Sequence, residues 1–385
     1  MKLNIDGRKH CQFFGFTENH ENESILILHS CSTNLNIDND DVMESYGAGY
    51  GDCGELHIGN TPRSIMTKGI STRRKNGLPG SLYGNFDPGN NDKLMISYRR
   101  EPSHDYEMSG ACGVLFKGEM HFFGGKERVS IDRQHFVIEK QRSGQLVKMT
   151  KKEDLEIGFD SPSCYSFQMT GEHFPWFRTN VVILCFDSYH KTSCYSYDGK
   201  LTFIGHSNYE HYYGGLTKYK EGLLTVGGRW VAQKTEILKM DKNKNRSWYV
   251  VEPDFKFNRN HSIYKHSLVT VESSDINDEY VLLIGGISDK YRIMQNIVKF
   301  NGTWFPFGQL NKPRNSHNSI YWNGAVYVIG GRNDLIDDEK FKTKIEIWNM
   351  KDSPEHFKAI ENWPELNDWL HPHLFIVPDS FFPDR

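Results

Sequence analysis

Two short stretches of the sequence hold residue types whose spacing could support ligand chemistry. Residues 49–54, GYGDCG, fit the glycine spacing of a dinucleotide-binding loop. Such a loop requires a strand before it and a helix after it, whereas an acidic loop precedes these glycines and a short β-like run follows. Residues 38–44, DNDDVME, lack the sixth-position glycine and twelfth-position glutamate of a calcium-binding EF-hand counted from Asp38. Structural loops explain both stretches better.

Two histidines near the C-terminus could act as metal ligands. His371 and His373 flank Pro372, but a metal site would need further ligands that the sequence does not place. Surface or packing histidines are the favoured interpretation. No GxSxG elbow, HExxH helix or P-loop occurs in the chain. We therefore expect a protein that is not an enzyme, with no catalytic residue, no metal and no cofactor.

The feature that does repeat is an apolar run ending in two glycines. Four such runs occur, and their glycine pairs begin at positions 124, 227, 285 and 330, so that the first interval is about twice the later ones. A degenerate repeat is expected in that gap. Residues 178–188, RTNVVILCFDS, supply it, with Cys185 and Phe186 where the pair would stand. The paired glycines are Gly124, Gly125, Gly227, Gly228, Gly285, Gly286, Gly330 and Gly331.

Each glycine-ended run is accompanied by three other short strand-like runs, one before it and two after it. Turn dipeptides such as Asn323-Gly324 and Asn301-Gly302 separate consecutive runs, as an antiparallel meander requires. A four-stranded unit cannot bury both faces alone, and twisted units of this kind stack radially into a propeller. The glycines permit close approach and positive φ at the end of the second strand.

These marks resemble the kelch-repeat family, whose repeats combine a Gly-Gly pair with an aromatic residue and a following tryptophan. In this chain Gly285 and Gly286 are followed by Phe300 and Trp304. The other two tryptophans of the pattern are Trp248 and Trp348. The resemblance covers residues 110–378, is imperfect in the second unit, and lacks a clear aromatic before Trp248 in the third. It implies an all-β kelch-type β-propeller.

The number of blades depends on the two ends of the chain. Five units begin near Gly110, Ser163, Gly214, His261 and Ser316, and a sixth first strand begins at His373. Kelch propellers commonly pair such a strand with N-terminal strands, here residues 24–30, 54–60 and 93–100. We expect residues 1–105 to complete the closing blade and residues 106–385 to form the propeller, giving six four-stranded antiparallel blades. Five blades remain the alternative if the N-terminal region is a separate module.

Positive charge collects in the loops that kelch propellers commonly use to bind partners. Six positions are considered, four just after glycine pairs and two in loops that enter a blade. Five of them are cationic, and Ile287 is the exception. Cationic side chains there would suit an acidic protein segment through charge-assisted hydrogen bonds. Loop packing is the alternative explanation. The predicted protein-binding residues, with two aromatic anchors included, are Lys126, Arg229, Trp230, Arg259, Tyr291, Arg314 and Arg332.

Net charge and the distribution of apolar residues limit the classes of partner, but they do not identify the cellular compartment. A net charge of −3 disfavours a nucleic-acid partner, and no apolar run is long enough to indicate a membrane partner. The start lacks a signal-peptide pattern, so the chain reads as cytoplasmic as written. The sequence leaves the oligomeric state open. Seven cysteines without a CxxC pair predict neither a zinc site nor a full disulfide framework.

Export of the chain is the competing hypothesis. A secreted structural propeller with an upstream signal would pair cysteines in the N-terminal region. Four N-x-S/T sequons occur, which is about the number that chance would produce in an Asn-rich chain. The cysteines concerned are Cys11, Cys31 and Cys53, and the sequon asparagines are Asn22, Asn245, Asn260 and Asn301.

Overall fold

The structure is a computed structural model of the 385-residue chain. It describes strand backbones at residues 10–16, 23–31, 55–59, 82–86 and 94–99. It also describes residues 110–125, 133–139, 148–167, 180–229, 234–240, 246–252, 262–273, 278–288, 292–333, 345–350, 352, 357–359 and 372–378. Every regular element within these ranges is a β-strand. A search of the same residues for a helix with the length and apolar character to cross a membrane finds none.

Five N-terminal strands precede the repeats. They are β1 (His10–Phe16), β2 (Glu23–Cys31), β3 (Glu55–Gly59), β4 (Leu82–Phe86) and β5 (Leu94–Arg99). Blades 1 and 2 hold β6 (Cys112–Phe116), β7 (Glu119–Phe123), β8 (His135–Glu139), β9 (Lys148–Lys151), β10 (Ser163–Phe167), β11 (Val181–Cys185), β12 (Ser193–Tyr197) and β13 (Leu201–His206).

The later blades follow in the same order. Blade 3 holds β14 (Gly215–Tyr219), β15 (Gly222–Val226), β16 (Thr235–Met240) and β17 (Arg246–Val250). Blade 4 holds β19 (Ser267–Val271), β20 (Tyr280–Ile284), β22 (Asn296–Phe300) and β23 (Trp304–Gln309), with a separate ribbon of β18 (Ile263–Tyr264) and β21 (Ile287–Ser288). Blade 5 holds β24 (Asn315–Trp322), β25 (Ala325–Arg332), β26 (Glu346–Asn349) and β27 (Lys358–Ala359), and β28 (His373–Pro378) follows.

The fold is an all-β propeller with five four-stranded antiparallel blades, each a simple meander. First strands of successive blades contact each other, from β6 through β10, β14 and β19 to β24. Because a blade has four antiparallel strands, the chain leaves it on the face where it entered. We call this the glycine face, since it carries the glycine pairs and the loops between blades. The turn face, on the opposite side, carries the turns between first and second strands and between third and fourth strands.

The C-terminal strand joins the N-terminal strands. β28 pairs antiparallel with β2, Ser24 facing Val377, as predicted for residues 24–30. It also contacts β24 and β6, the first strands of blades 5 and 1. The resulting sheet has six strands in the order β28, β2, β1, β3, β5, β4, whereas the sequence predicted only three N-terminal strands in it. The two additional strands are β1, which lies between β2 and β3, and β4 at the edge.

The first glycines of blades 1, 3 and 4 sit where a side chain would strike the chain that enters the next blade. Gly227 has φ +69°, and a Cβ there would collide with the carbonyl oxygen of Ile263 in the loop leading to blade 4. Gly285 has φ +56°, and its Cβ would lie 2.7 Å from the carbonyl oxygen of Arg314. The following glycine donates its N–H to that same carbonyl, at 2.9 Å for Gly286 and Arg314. The pair therefore lets two blades approach through a backbone hydrogen bond.

The degenerate pair is one residue later than predicted. Phe186 takes the place of the first glycine, with φ +60°, and its N–H donates to the carbonyl of Ser193 at 3.1 Å. Gly124 and Gly227 make the equivalent bond to the residue just before the third strand, at 2.9 and 3.1 Å. Asp187 occupies the second place. The prediction of Cys185 and Phe186 was wrong in register, because Cys185 still pairs with Ser163 as the last residue of β11.

Predicted starts of the repeats agree with the strands except in blade 4. Its first strand begins at Ser267, although the unit was predicted to begin near His261. Ile263 and Tyr264 form the short strand β18, which pairs with β21 on the glycine face. The apolar pattern alone did not separate this ribbon from the blade.

Second strands carry the core, because each lies between neighbouring blades on both faces. Every residue of β11, β15 and β20 is buried. Two of the tryptophans that mark the repeats are also buried, Trp248 and Trp348. Trp248 packs with residues of blade 2, and Trp348 with residues of blade 4. These tryptophans therefore hold adjacent blades together.

Candidate functional site

Five residues on the glycine face share a left-handed backbone conformation. In each blade, one residue of the first strand pairs with the residue just before the glycine pair, or just before Phe186 in blade 2. The left-handed residue stands two positions before that first-strand residue. Their φ angles lie between 55° and 70°. This conformation is costly for residues other than glycine and is kept where surrounding contacts enforce it. We call these residues the mouth ring: Gly110, Ser161, Tyr213, Lys265 and Ser316.

Backbone hydrogen bonds connect the mouth ring from blade to blade. Lys265 donates its N–H to the carbonyl of Tyr213 at 2.9 Å, and Ser316 donates to the carbonyl of Lys265 at 2.9 Å. The mouth-ring residues of blades 1 and 2 are also close, because a Cβ at Gly110 would lie 2.7 Å from Oγ of Ser161. Glycine, serine, tyrosine and lysine all occur among the five residues, so no residue signature marks the ring. Only its position relative to the glycine pairs could have revealed it.

Aromatic and cationic groups meet at the mouth ring. Tyr212 and Tyr213 stack with ring centroids 3.9 Å apart, and Nζ of Lys265 lies 5.1 Å from the centroid of Tyr213. Arg229 donates its N–H to the carbonyl of Tyr212 at 2.8 Å. Burial, and then the neighbouring Tyr213, raise the pKa of Tyr212 above its usual value. At neutral pH the hydroxyl of Tyr212 is uncharged, as that of an ordinary tyrosine is.

The structure places two of the predicted binding residues on this face. Arg229 is half-buried beside Tyr212. Arg332 is half-buried at the end of β25, where its carbonyl accepts a hydrogen bond from Nδ2 of Asn315 at 3.0 Å. They belong to blades 3 and 5. Four other predicted residues lie outside the described part of the chain: Lys126, Trp230, Arg259 and Tyr291.

Arg314 points into the protein instead of toward a partner. It is 2 % exposed, its Nη2 donates to Oε1 of Glu346, and its Nη1 donates to the carbonyl of Gly330 at 3.2 Å. Burial lowers the pKa of Arg314, and Glu346 opposes that shift. Asn311 adds its backbone N–H to Oε2 of Glu346 at 2.7 Å. This placement matches the loop-packing explanation that the sequence left open.

Blade 3 builds the same arrangement with a histidine in place of arginine. Nε2 of His211 lies 2.9 Å from Oε2 of Glu236, and its Nδ1 lies 2.6 Å from the carbonyl of Gly227. Asn208 donates its backbone N–H to Glu236 at 3.0 Å. Burial raises the pKa of Glu236, but the hydrogen bonds from His211 and Asn208 outweigh it and lower the pKa overall. We call each set a carboxylate clamp, one holding Glu236 and one holding Glu346.

A cavity of about 370 Å³ lies between the first strands of the blades. Its lining mixes apolar side chains with hydroxyl groups. Oγ1 of Thr217 and Oγ1 of Thr270 are 2.9 Å apart, and Ser319 donates to Oγ of Ser267 at 2.9 Å. These hydroxyls bond to one another across neighbouring blades, so they serve ring assembly.

Of the metal and nucleotide candidates, only His373 lies in the described part of the chain. His373 packs against Phe122, with ring centroids 5.3 Å apart, and burial lowers its pKa to about 4. A search of the described residues finds no group of three or more potential metal ligands. His371, the acidic stretch at residues 38–44 and the glycines at residues 49–54 lie outside the described residues.

Two disulfides occur in blades 1 and 2, outside the N-terminal region where the export hypothesis placed them. Cys112 in β6 is bonded to Cys164 in β10, joining blades 1 and 2, with Cα atoms 6.1 Å apart. Cys185 and Cys194 are bonded within blade 2, where they face each other on β11 and β12. Separations of 52 and 9 residues carry no signal until strand register is known. The N-terminal cysteines have no described side chains: Cys11, Cys31 and Cys53.

Comparison with known proteins adds no assignment. No protein-family model matches the chain, and no curated protein matches it.

Proposed function

We propose that this chain is a non-enzymatic protein-interaction module, a kelch-type propeller that presents its glycine face to an acidic segment of a protein partner. The observation that carries the proposal is the position of Arg229 beside stacked Tyr212 and Tyr213, with Lys265 over the second ring. Stacked aromatics supply rigid contact area, and arginine recognises carboxylates through paired hydrogen bonds. In this proposal Arg314 supports the loop instead of binding.

Six blades are part of the same proposal. The sheet containing β28 and β2 would serve as the sixth blade, since β28 contacts the first strands of blades 5 and 1. Removing residues 372–385 should then open the ring and lower the midpoint of denaturant unfolding. An unchanged midpoint would contradict the six-bladed ring.

Charge reversal tests the binding face. The variant Arg229→Glu with Arg332→Glu should lose a partner captured from the native source, while its thermal unfolding stays near that of the wild type. Lys200→Glu is the matched control, because Lys200 is exposed in a turn on the opposite face. The captured proteins, identified by mass spectrometry, should contain an acidic segment. Equal capture by both variants would refute the proposal.

Export of the propeller is a second candidate, and the two disulfides favour it. Disulfides form and persist in oxidising compartments and are rare in the cytosol. At least four of the seven cysteines should then be blocked in the protein isolated from its native source, Cys112 and Cys164 among them. Thiol labelling under denaturing conditions measures this number. Seven reactive thiols would refute export and leave the binding proposal standing.

A further inference from the structure

We infer that Asn301 carries an N-linked glycan in the mature protein. The inference rests on the export of the chain proposed above. Asn301, Gly302 and Thr303 form the acceptor sequence of this modification. What distinguishes this sequon is its position in the fold, which the sequence alone does not provide.

The sequon is a hairpin turn that projects into solvent. Asn301, Gly302 and Thr303 are all exposed and connect β22 to β23 in blade 4. Gly302 has φ +83°, and the space around a Cβ there is open to 4 Å. Asn301 donates its N–H to the carbonyl of Thr303 at 3.1 Å. The backbone of this turn is therefore open to solvent.

The side chain of Asn301 is held at the edge of the turn. Its Oδ1 accepts a hydrogen bond from the hydroxyl of Tyr219, at 3.5 Å. This contact orients the amide through its oxygen. The nitrogen Nδ2, which is the atom that bears an N-linked sugar, is not the atom engaged by Tyr219.

The two disulfides supply the independent observation. Bonds of Cys112 to Cys164 and of Cys185 to Cys194 favour folding in a compartment where thiols are oxidised. In eukaryotic cells that compartment also holds the glycosylation machinery. On a chain that passes through this compartment, a solvent-exposed sequon is available as an acceptor of the sugar.

The transfer needs one co-reactant, an oligosaccharide linked to a lipid pyrophosphate. A bond forms between Nδ2 of Asn301 and the anomeric carbon of the sugar, while the bond from that carbon to the pyrophosphate oxygen breaks. The lipid pyrophosphate leaves with the electron pair, and the amide loses one proton. No oxidation or reduction is involved.

The position of the glycan is compatible with partner binding. The turn between a third and a fourth strand lies on the turn face, beside Tyr219 at the end of β14. Arg229, Tyr212 and Tyr213 lie on the glycine face. A glycan at Asn301 would therefore leave the proposed binding face uncovered. The other three sequons lie outside the described residues: Asn22, Asn245 and Asn260.

Peptide mapping of the full chain from its native source tests the inference. Treatment with a peptide N-glycosidase in heavy-oxygen water should convert a glycosylated Asn301 to a heavy-oxygen aspartate. A sample kept in the same water without the enzyme measures the spontaneous deamidation of Asn301 next to Gly302, and it should show far less conversion. The expected result is this conversion in most of the Asn301 peptide. An unmodified Asn301 peptide in a chain whose four paired cysteines are oxidised would overturn the inference and spare the export hypothesis. Reduced cysteines together with unmodified Asn301 would overturn both.

Two variants at one position keep the test independent of folding. Full chains directed through the secretory pathway of cultured eukaryotic cells should lose one glycan with Thr303→Ala and keep it with Thr303→Ser, since serine preserves the sequon. Both substitutions shorten the same exposed side chain, so a folding defect would affect both. Equal electrophoretic mobility of Thr303→Ala and wild type would overturn the inference.

Discussion

At the scale of single residues, the two carboxylate clamps hold buried charges, Glu236 and Glu346. In the clamp of blade 5, Glu346 accepts hydrogen bonds from Arg314 and Asn311 and is 1 % exposed. Removing one partner of such a pair leaves an uncompensated charge in a medium of low polarity, which costs more than the pair itself contributes. Buried residues of this kind are therefore sensitive probes of the fold.

Glu346→Gln should lower the free energy of unfolding by about 3–5 kcal/mol, because Arg314 loses its counter-charge while remaining buried. Urea unfolding measures the change. Glu272→Gln is the control, since the Glu272 side chain is 62 % exposed and lies 3.9 Å from Lys218; we expect a change within about 0.5 kcal/mol. Equal unfolding midpoints for the two variants would contradict the role assigned to Glu346.

Gly227→Ala tests the close approach between blades. Gly324 has a similar φ, +74°, but open space around its Cβ, whereas a Cβ at Gly227 meets the carbonyl of Ile263. Gly324→Ala should cost about 1–2 kcal/mol from backbone conformation alone. Gly227→Ala should cost clearly more in denaturant unfolding. The contact has no energetic importance if the two alanines are equally tolerated.

At the scale of elements, strand packing holds histidines in a neutral form. His121 on β7 and His135 on β8 have Nδ1 and Nε2 2.9 Å apart, and the His135 ring stacks on Phe123. Burial lowers the pKa of His121 to about 3 and that of His135 to about 4. The positive charge of Lys152 acts in the same direction on both, and His135 also lowers the pKa of His121.

The histidine pair of blade 1 should therefore lower the stability of the folded protein in acid. The unfolded chain binds protons below about pH 6.5 while the folded pair stays neutral, so stability falls between about pH 6.5 and the folded pKa values and is unaffected above that range. The decrease in the free energy of unfolding should reach about a few kcal/mol near pH 4. Urea unfolding at a series of pH values measures the free energy of unfolding. Its slope against pH should be shallower for the double variant His121→Gln with His135→Gln than for the wild type. The exposed His206→Gln is the control, and a wild-type slope in the double variant would exclude the pair as the cause.

At the scale of the whole molecule, cross-links between blades should matter more than cross-links within one. The bond of Cys112 to Cys164 spans 52 residues and joins two blades, whereas that of Cys185 to Cys194 spans 9 residues within a hairpin. A longer closed loop restricts the unfolded chain more.

Replacing Cys112 and Cys164 by alanine should lower the free energy of unfolding by about 3–4 kcal/mol. The matching pair of alanines at Cys185 and Cys194 should cost about 1–2 kcal/mol less, because that loop is shorter. Guanidinium unfolding under oxidising conditions measures both, and reductant should bring wild type toward the variants. A larger loss from the hairpin pair would contradict this order.

The repeat was predictable from sequence because its physical cause is local. Gly124, Gly227 and Gly285 each follow an apolar run, and both positive φ and close approach demand glycine there. The alternation of apolar runs with turn dipeptides fixed the number of strands per blade and placed the first strand of most blades. The degenerate pair was misplaced because Phe186 adopts the glycine conformation without the glycine signature.

Only tertiary structure decided which loop residues face solvent and which cysteines meet. Arg314 and Arg229 both lie in loops of the glycine face, yet Arg314 is buried because it bonds to Glu346, 32 residues later, at the start of β26. The pairing of Cys112 with Cys164 likewise depends on neighbouring first strands. Local pattern determines the conformation of each segment, whereas contacts between distant segments determine which side chains are buried, paired or available to a partner.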